Sequence, residues 1–209
     1  MMQPFFLFWY ILWPLIPLLF YLQSLESELN QYTLSVVLGL YSFIWLCNQF
    51  ILAARPKLLV RIFGTKVLTV LHSVMPLVII ILTALHRMLK ISYGFSPDTV
   101  QARLGAFAWW LYALVIIFTL FLMANTILMK VSPFKRFKDF VYAKTGLTYK
   151  RARLFHNITL IGAFALFAHI SLASSSQFSH NPWGTGFLIL WMLFSLVLYV
   201  RYRLRGRKS

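Results

Sequence analysis

Cysteine is nearly absent. The 209-residue chain has one, Cys47, so neither an internal disulfide nor a thiolate metal site can be built within it. Lying in an apolar run, Cys47 reads as a small buried packing residue. Acidic residues are almost as scarce, four against twenty Lys and Arg. Charged residues of both signs make up only 11% of the chain, whereas a soluble domain carries about a quarter. Too few polar side chains are left to coat a water-facing surface, which excludes an ordinary soluble fold. The N-terminus lacks a basic segment and a small-residue cleavage site, and Pro14 and Pro17 interrupt its apolar run. It therefore reads as a retained first helix rather than a signal peptide.

What is present is apolar: 60% hydrophobic and 18% aromatic residues, with a mean hydropathy of +0.76. An all-α integral membrane protein is expected. The net charge of +16 would suit a nucleic-acid surface, but the basic residues lie between lipid-length segments. Attraction to lipid headgroups and a positive-inside bias explain them without any nucleic-acid partner.

Charges punctuate the chain into six spans. Residues 1–25 are uncharged and end at Glu26 and Glu28; residues 29–54 lead into Arg55, Lys57, Arg61 and Lys66. Residues 67–86 end at Arg87 and Lys90, and residues 104–129 end at Lys130. Residues 154–200 carry no charge, more than twice the roughly 20 residues a crossing needs. Ser174-Ser175-Ser176-Gln177 and Asn181-Pro182-Trp183-Gly184 split this run in two. With both termini in the cytoplasm, inner segments hold 17 of the 20 basic residues, and Glu26, Glu28 and Asp98 fall outside. A multi-pass protein of a plasma (bacterial inner) membrane is expected, as one domain over residues 1–209, with no internal repeat and no appended FAD- or NAD(P)H-binding domain.

Four histidines stand in this apolar frame: His72 and His86 in the third span, His156 and His169 in the fifth. Ionisable side chains within a bilayer are costly and mark function. Both spans run outward, so His72 and His156 share the inner depth while His86 and His169 share the outer. Separations of fourteen and thirteen residues give rungs about 21 and 20 Å apart. Pairing His72 with His156, and His86 with His169, would hold two haem groups through bis-imidazole ligation, which favours electron transfer. Angular phase is the strain in this reading. Fourteen residues fall about 40° from whole turns, thirteen about 140°. A bend or altered turn is required in the fifth helix, where Gly162 is available, and Pro76 could kink the third. Helix-to-helix hydrogen bonding or proton relay is the plain alternative for any single histidine. His180 reads as a solvated loop residue.

Porphyrin propionates would want cations. Arg55, Arg61 and Arg153 are candidates at the inner side, with Lys66 and Arg151 nearby. Arg87, Lys90 and Arg103 are the outer cations, running against the positive-inside bias, and could instead attract an anionic acceptor. Trp109, Trp110, Tyr112 and Trp183 read as an interfacial belt.

The chain resembles the ferric reductase-like transmembrane domain family. The likeness is carried by Leu38-Gly39, Arg55-Pro56-Lys57-Leu58, Phe63-Gly64, His72, His86, Leu154-Phe155-His156-Asn157 and His169, over about residues 33–171. It implies a six-helix bundle with two stacked b-type haems between helices three and five. It also implies electron flow from a cytoplasmic flavin-dependent reductase to an extracytoplasmic acceptor such as ferric iron, flavin or a flavoprotein. FAD or FMN and NAD(P)H would then sit only on the partner, whose docking surface is expected among the basic residues 130–153. The related haem-binding membrane subunit of a methionine sulfoxide reductase system is a second reading. A cofactor-free transporter or assembly factor is a third, disfavoured because no Asp or Glu lies inside any span.

Overall fold

The computed structural model describes residues 8, 10–25, 30–123 and 132–205, and no strand occurs among them. α1 (Leu15–Ser24) ends a short apolar helix, Tyr10–Ser24. It is followed by α2 (Gln31–Ala54), α3 (Lys57–Ser92) and α4 (Val100–Phe118), which continues into a π turn, Thr119–Met123. α5 (Ser132–Thr145) and α6 (Tyr149–Phe155) come next. A 3₁₀ turn, His156–Ile158, joins α6 to α7 (Thr159–Leu172), and α8 (Pro182–Arg205) completes the order.

Local chemistry fixes most boundaries. Asn30 caps α2, its side chain accepting from the Thr33 amide at 2.9 Å. α2 stops where Arg55 turns left-handed, φ 47°, because the following Pro56 disfavours a helical residue before it. Thr99 and Thr148 cap α4 and α6 through their hydroxyls. Asn181 Oδ1 accepts from the Gly184 amide at the start of α8. α3 is broken at Gly64 (φ 73°, ψ 157°), in a region open essentially to glycine alone, whereas Pro76 sits within helical geometry. The kink expected at Pro76 is thus at Gly64.

The third helix also runs past His86 to Ser92, so Arg87 and Lys90 ride on it rather than ending it. Cations are favourable near a helix C-terminus. The stop comes from Gly94 at φ 99°, with the Gly94 amide donating to the Ile91 carbonyl and the Phe95 amide to that of Lys90.

Among the described residues five helices are long and apolar enough to cross a membrane: Gln31–Ala54, Lys57–Ser92, Val100–Leu122, Arg151–Leu172 and Pro182–Arg205. Together they describe a multi-pass membrane bundle. Six spans are expected from the sequence; the first is represented among the described residues by the shorter Tyr10–Ser24. The Glu26/Glu28 connection and the fourth span's end at 124–130 lie outside the described residues. α2 is the central pillar, with Ile44 and Cys47 fully buried, and it packs against α3 and α8. Trp13 and Trp191, 5.0 Å apart, and a 2.7 Å hydrogen bond between Tyr21 Oη and Ser176 Oγ fasten α1 over the α8 side. Outward faces carry Ile81, Leu85, Trp110, Leu114, Ile117 and Phe164, all exposed, a surface suited to lipid and not to water.

Candidate functional site

α2 backs α3 and α4 backs α7, while α3 and α7 stand apart across a cavity. The cavity of about 340 Å³ reaches from Lys90 and Ser174–Ser176 at one end to His156 and Tyr199 at the other. That size falls within the range of cofactor and ligand sites, roughly 300–1,000 Å³. All four span histidines line it. His180 does not; it is exposed and pairs with Ser179 in its loop.

At the Tyr199 end the rings of His72 and His156 lie 6.2 Å apart between centroids, with planes at 68°. Two imidazoles on opposite sides of one metal, each at about 2.0 Å, have centroids about 6.3 Å apart. The observed separation matches that value, and it also falls within the roughly 4.5–7 Å of an ordinary edge-to-face ring pair. At the Lys90 end His86 and His169 are close enough to interact electrostatically.

What orients each ring is its Nδ1. His86 Nδ1–H donates to the Ser35 carbonyl of α2 at 2.6 Å, and His169 Nδ1–H to the Gln101 carbonyl of α4 at 2.7 Å. A carbonyl can only accept, so these bonds fix the tautomer and leave Nε2 with its lone pair free. A metal-ligating histidine has the same arrangement, with its second nitrogen donating to a carbonyl. His156 Nδ1 lies 3.3 Å from Thr119 Oγ1, in the π turn of α4. His72 Nδ1 is buried against the Gln49 backbone of α2. The α3 histidines are thus backed by α2, and the α7-side histidines by α4.

Two glycines complete the cradle. A Cβ on Gly39 would stand 2.8 Å from His86 Nδ1, and one on Gly105 would stand 2.9 Å from His169 Nδ1. Each glycine follows the residue whose carbonyl accepts from the ring by four positions, Ser35 to Gly39 and Gln101 to Gly105, one helical turn along the same face. One two-helix unit is therefore used twice, although the sequence shows no repeat.

The phase conflict in the fifth span is eased by the 3₁₀ turn that starts at His156 itself. Replacing three steps of about 100° by steps of about 120° adds about 60° and narrows the mismatch from about 140° to about 80°. Gly162 serves another purpose: its missing side chain admits the Tyr112 ring, which would lie 2.8 Å from a Cβ. Tyr112 donates to the Thr159 carbonyl at 3.0 Å, and Trp109 Nε1 donates to the Ile80 carbonyl at 3.1 Å. These two residues therefore tie α4 to α7 and α3 along the cavity wall rather than forming a belt. Trp110 and Trp183 are exposed on the outside.

Of the basic candidates, Arg87 and Lys90 line the cavity. Lys90 Nζ sits 3.9 Å above the Tyr32 ring and 4.3 Å above that of Phe95, and it is close enough to act on both His86 and His169. Arg55 reaches Thr69 Oγ1 at 3.3 Å and is near His72, outside the cavity lining. Arg61 and Arg153 are exposed and do not line it. Arg103 is exposed and pairs with Asp98 at 3.6 Å. Arg203, unremarked in the sequence, lies near His156.

The donor set suits a macrocycle better than a bare ion. Among the described residues no three His, Cys, Asp or Glu converge on one point. Imidazole pairs leave a bare ion under-coordinated, whereas a porphyrin would supply the other ligands of its iron and need only the imidazoles of His72 and His156, or of His86 and His169, from the protein. Ser35, Gly105, Gln101 and Thr119 escape a sequence reading because three of them act through a carbonyl or a missing Cβ. A glycine one turn after a polar residue in each backing helix is the only trace. No protein-family model, no curated protein and no solved structure matches the chain.

Proposed function

We propose that this chain is a transmembrane electron conduit holding two haem b groups, one between His72 and His156 and one between His86 and His169. The reading is carried by four histidines lining one cavity, with the His72 and His156 rings 6.2 Å apart and the His86 and His169 Nδ1 atoms tied to the backing helices. Its histidine spacing is similar to that of the ferric reductase-like transmembrane family. When bound, the two haems would supply one-electron redox chemistry at two depths of the bilayer.

The chain's residues do the rest. Ser35 and Gln101 hold two rings in one tautomer, Thr119 steadies a third, and Gly39 and Gly105 let the rings approach the backing helices. Apolar lining from Leu40, Phe43, Leu77, Ile80, Val115 and Leu166 excludes water between the rungs. Lys90 and Arg203 place one cation near each rung. Both termini are assigned to the cytoplasm on the distribution of basic residues. Electrons enter at the Arg203 end from a reduced flavin or nicotinamide donor and leave at the Lys90 end to ferric iron, flavin or a flavoprotein. A reduced-minus-oxidised spectrum of purified protein tests this: a b-type α-band at two haems per chain is expected. A colourless preparation after haem supplementation sinks it.

A further inference from the structure

α5 is unlike the other long helices. Its sequence, Ser132–Thr145, is polar on average and buries no residue, yet Phe137 and Phe140 are 52% and 60% exposed on it. It carries Lys135, Arg136, Lys138 and Lys144 against a single Asp139. At 100° per residue, Phe134, Phe137, Phe140 and Val141 share one side, and Lys135 and Asp139 occupy the other. Lys138 flanks the aromatic side, and Lys144 falls on it at the last turn, its Nζ 5.4 Å from the Phe140 ring.

Its depth is set by α4. Arg103, exposed and paired with Asp98, marks one membrane surface, and Phe121 lies eighteen residues further along, about 27 Å. Phe121 and Leu122 therefore fall near the opposite edge of the roughly 30 Å of bilayer hydrocarbon. α5 is fastened there: Phe121 meets Phe134 at 5.5 Å and Phe137 at 6.3 Å, and Tyr142 Oη donates to the Leu122 carbonyl at 2.6 Å. Half-exposed phenyl rings, held near headgroup depth and accompanied by cations whose stems can reach outward, match an interfacial amphipathic helix.

We infer that α5 is a membrane-surface helix that seats its Phe137/Phe140 side in the acyl–headgroup boundary and binds anionic lipid through Lys135, Arg136, Lys138 and Lys144. It anchors the Arg203 end of the bundle to a negatively charged leaflet. The same exposed face would otherwise serve a soluble protein partner, and the two differ in what touches the rings.

Full-length protein is reconstituted in nanodiscs of phosphatidylcholine, alone or with phosphatidylglycerol as about a third of the lipid. Cys47 is buried, so an introduced cysteine is the accessible labelling site. An environment-sensitive fluorophore is placed by Phe140→Cys or Val141→Cys, and on the opposite side by Lys135→Cys or Asp139→Cys. Circular dichroism checks that each variant keeps its helix content. The expected result is quenching by lipid-borne nitroxide at 140 and 141 that rises about threefold or more with phosphatidylglycerol, and little at 135 and 139. Combining Lys138→Gln with Lys144→Gln should abolish the rise. Equal quenching on both sides, no quenching on either, or no response to phosphatidylglycerol overturns the inference; the second outcome assigns the face to a soluble partner.

Discussion

Gly39→Ala and Gly105→Ala put the most pressure on the proposed site, because each adds one carbon where an imidazole already lies. The new Cβ would sit 2.8 Å from His86 Nδ1 or 2.9 Å from His169 Nδ1. Comfortable carbon contacts begin near 3.5 Å, so the ring must retreat by about 0.7 Å at His86 and about 0.6 Å at His169. α2 cannot yield instead at Gly39, since it is the most buried helix of the bundle. A retreat of that size stretches the 2.6 Å bond from His86 to the Ser35 carbonyl to about 3.3 Å. The contact costs about 1–3 kcal/mol by overpacking, and the weakened hydrogen bond roughly 0.5–1.5 kcal/mol more. Loss of such an orienting partner lowers metal affinity about 10–100-fold. Haem titration of each purified variant should therefore show one site unchanged and one weakened by that factor, with an altered low-spin EPR signal for the weakened site. Gly162→Ala is the control: its Cβ meets Tyr112 at 2.8 Å, so it should lower the melting temperature while both haem affinities stay unchanged. If Gly39→Ala and Gly105→Ala both bind two haems with wild-type affinity and EPR spectra, the cradle argument is refuted.

Lys90→Met keeps the aliphatic stem against Tyr32 and Phe95 but removes the cation near His86 and His169. At an effective dielectric of about 20 the lost charge is worth about 1–2 kcal/mol, so redox titration should show the His86/His169 midpoint falling by about 45–90 mV. Arg103→Ala, from a solvated pair with Asp98, should leave both midpoints within error, since such pairs contribute roughly 0–1 kcal/mol. Thr119→Val removes the hydroxyl 3.3 Å from His156 Nδ1 and frees that ring to turn. Resonance Raman and EPR of the His72/His156 site should change while the other site does not; an unchanged pair of spectra would show that Thr119 does not orient the ring.

The sequence by itself determined that the chain is helical and membrane-bound, and approximately where most helices begin and end. Those properties follow from long apolar runs, from caps such as Asn30 and Thr99, and from breakers such as Pro56 and Gly94, all local effects of a few residues. It also singled out four histidines, because an imidazole in an apolar run needs a reason. Only the tertiary structure decided what surrounds them. Every residue has a carbonyl, and nothing in the sequence marks those of Ser35 and Gln101 as acceptors for rings 51 and 68 positions away. Nor does it show that Gly39 and Gly105 are small because an imidazole from a neighbouring helix fills the space, or that Lys90 rather than Arg103 faces the cavity. Helix propensity and hydropathy are read along the chain, whereas close approach, ring orientation and the field of a charge depend on which helices pack side by side.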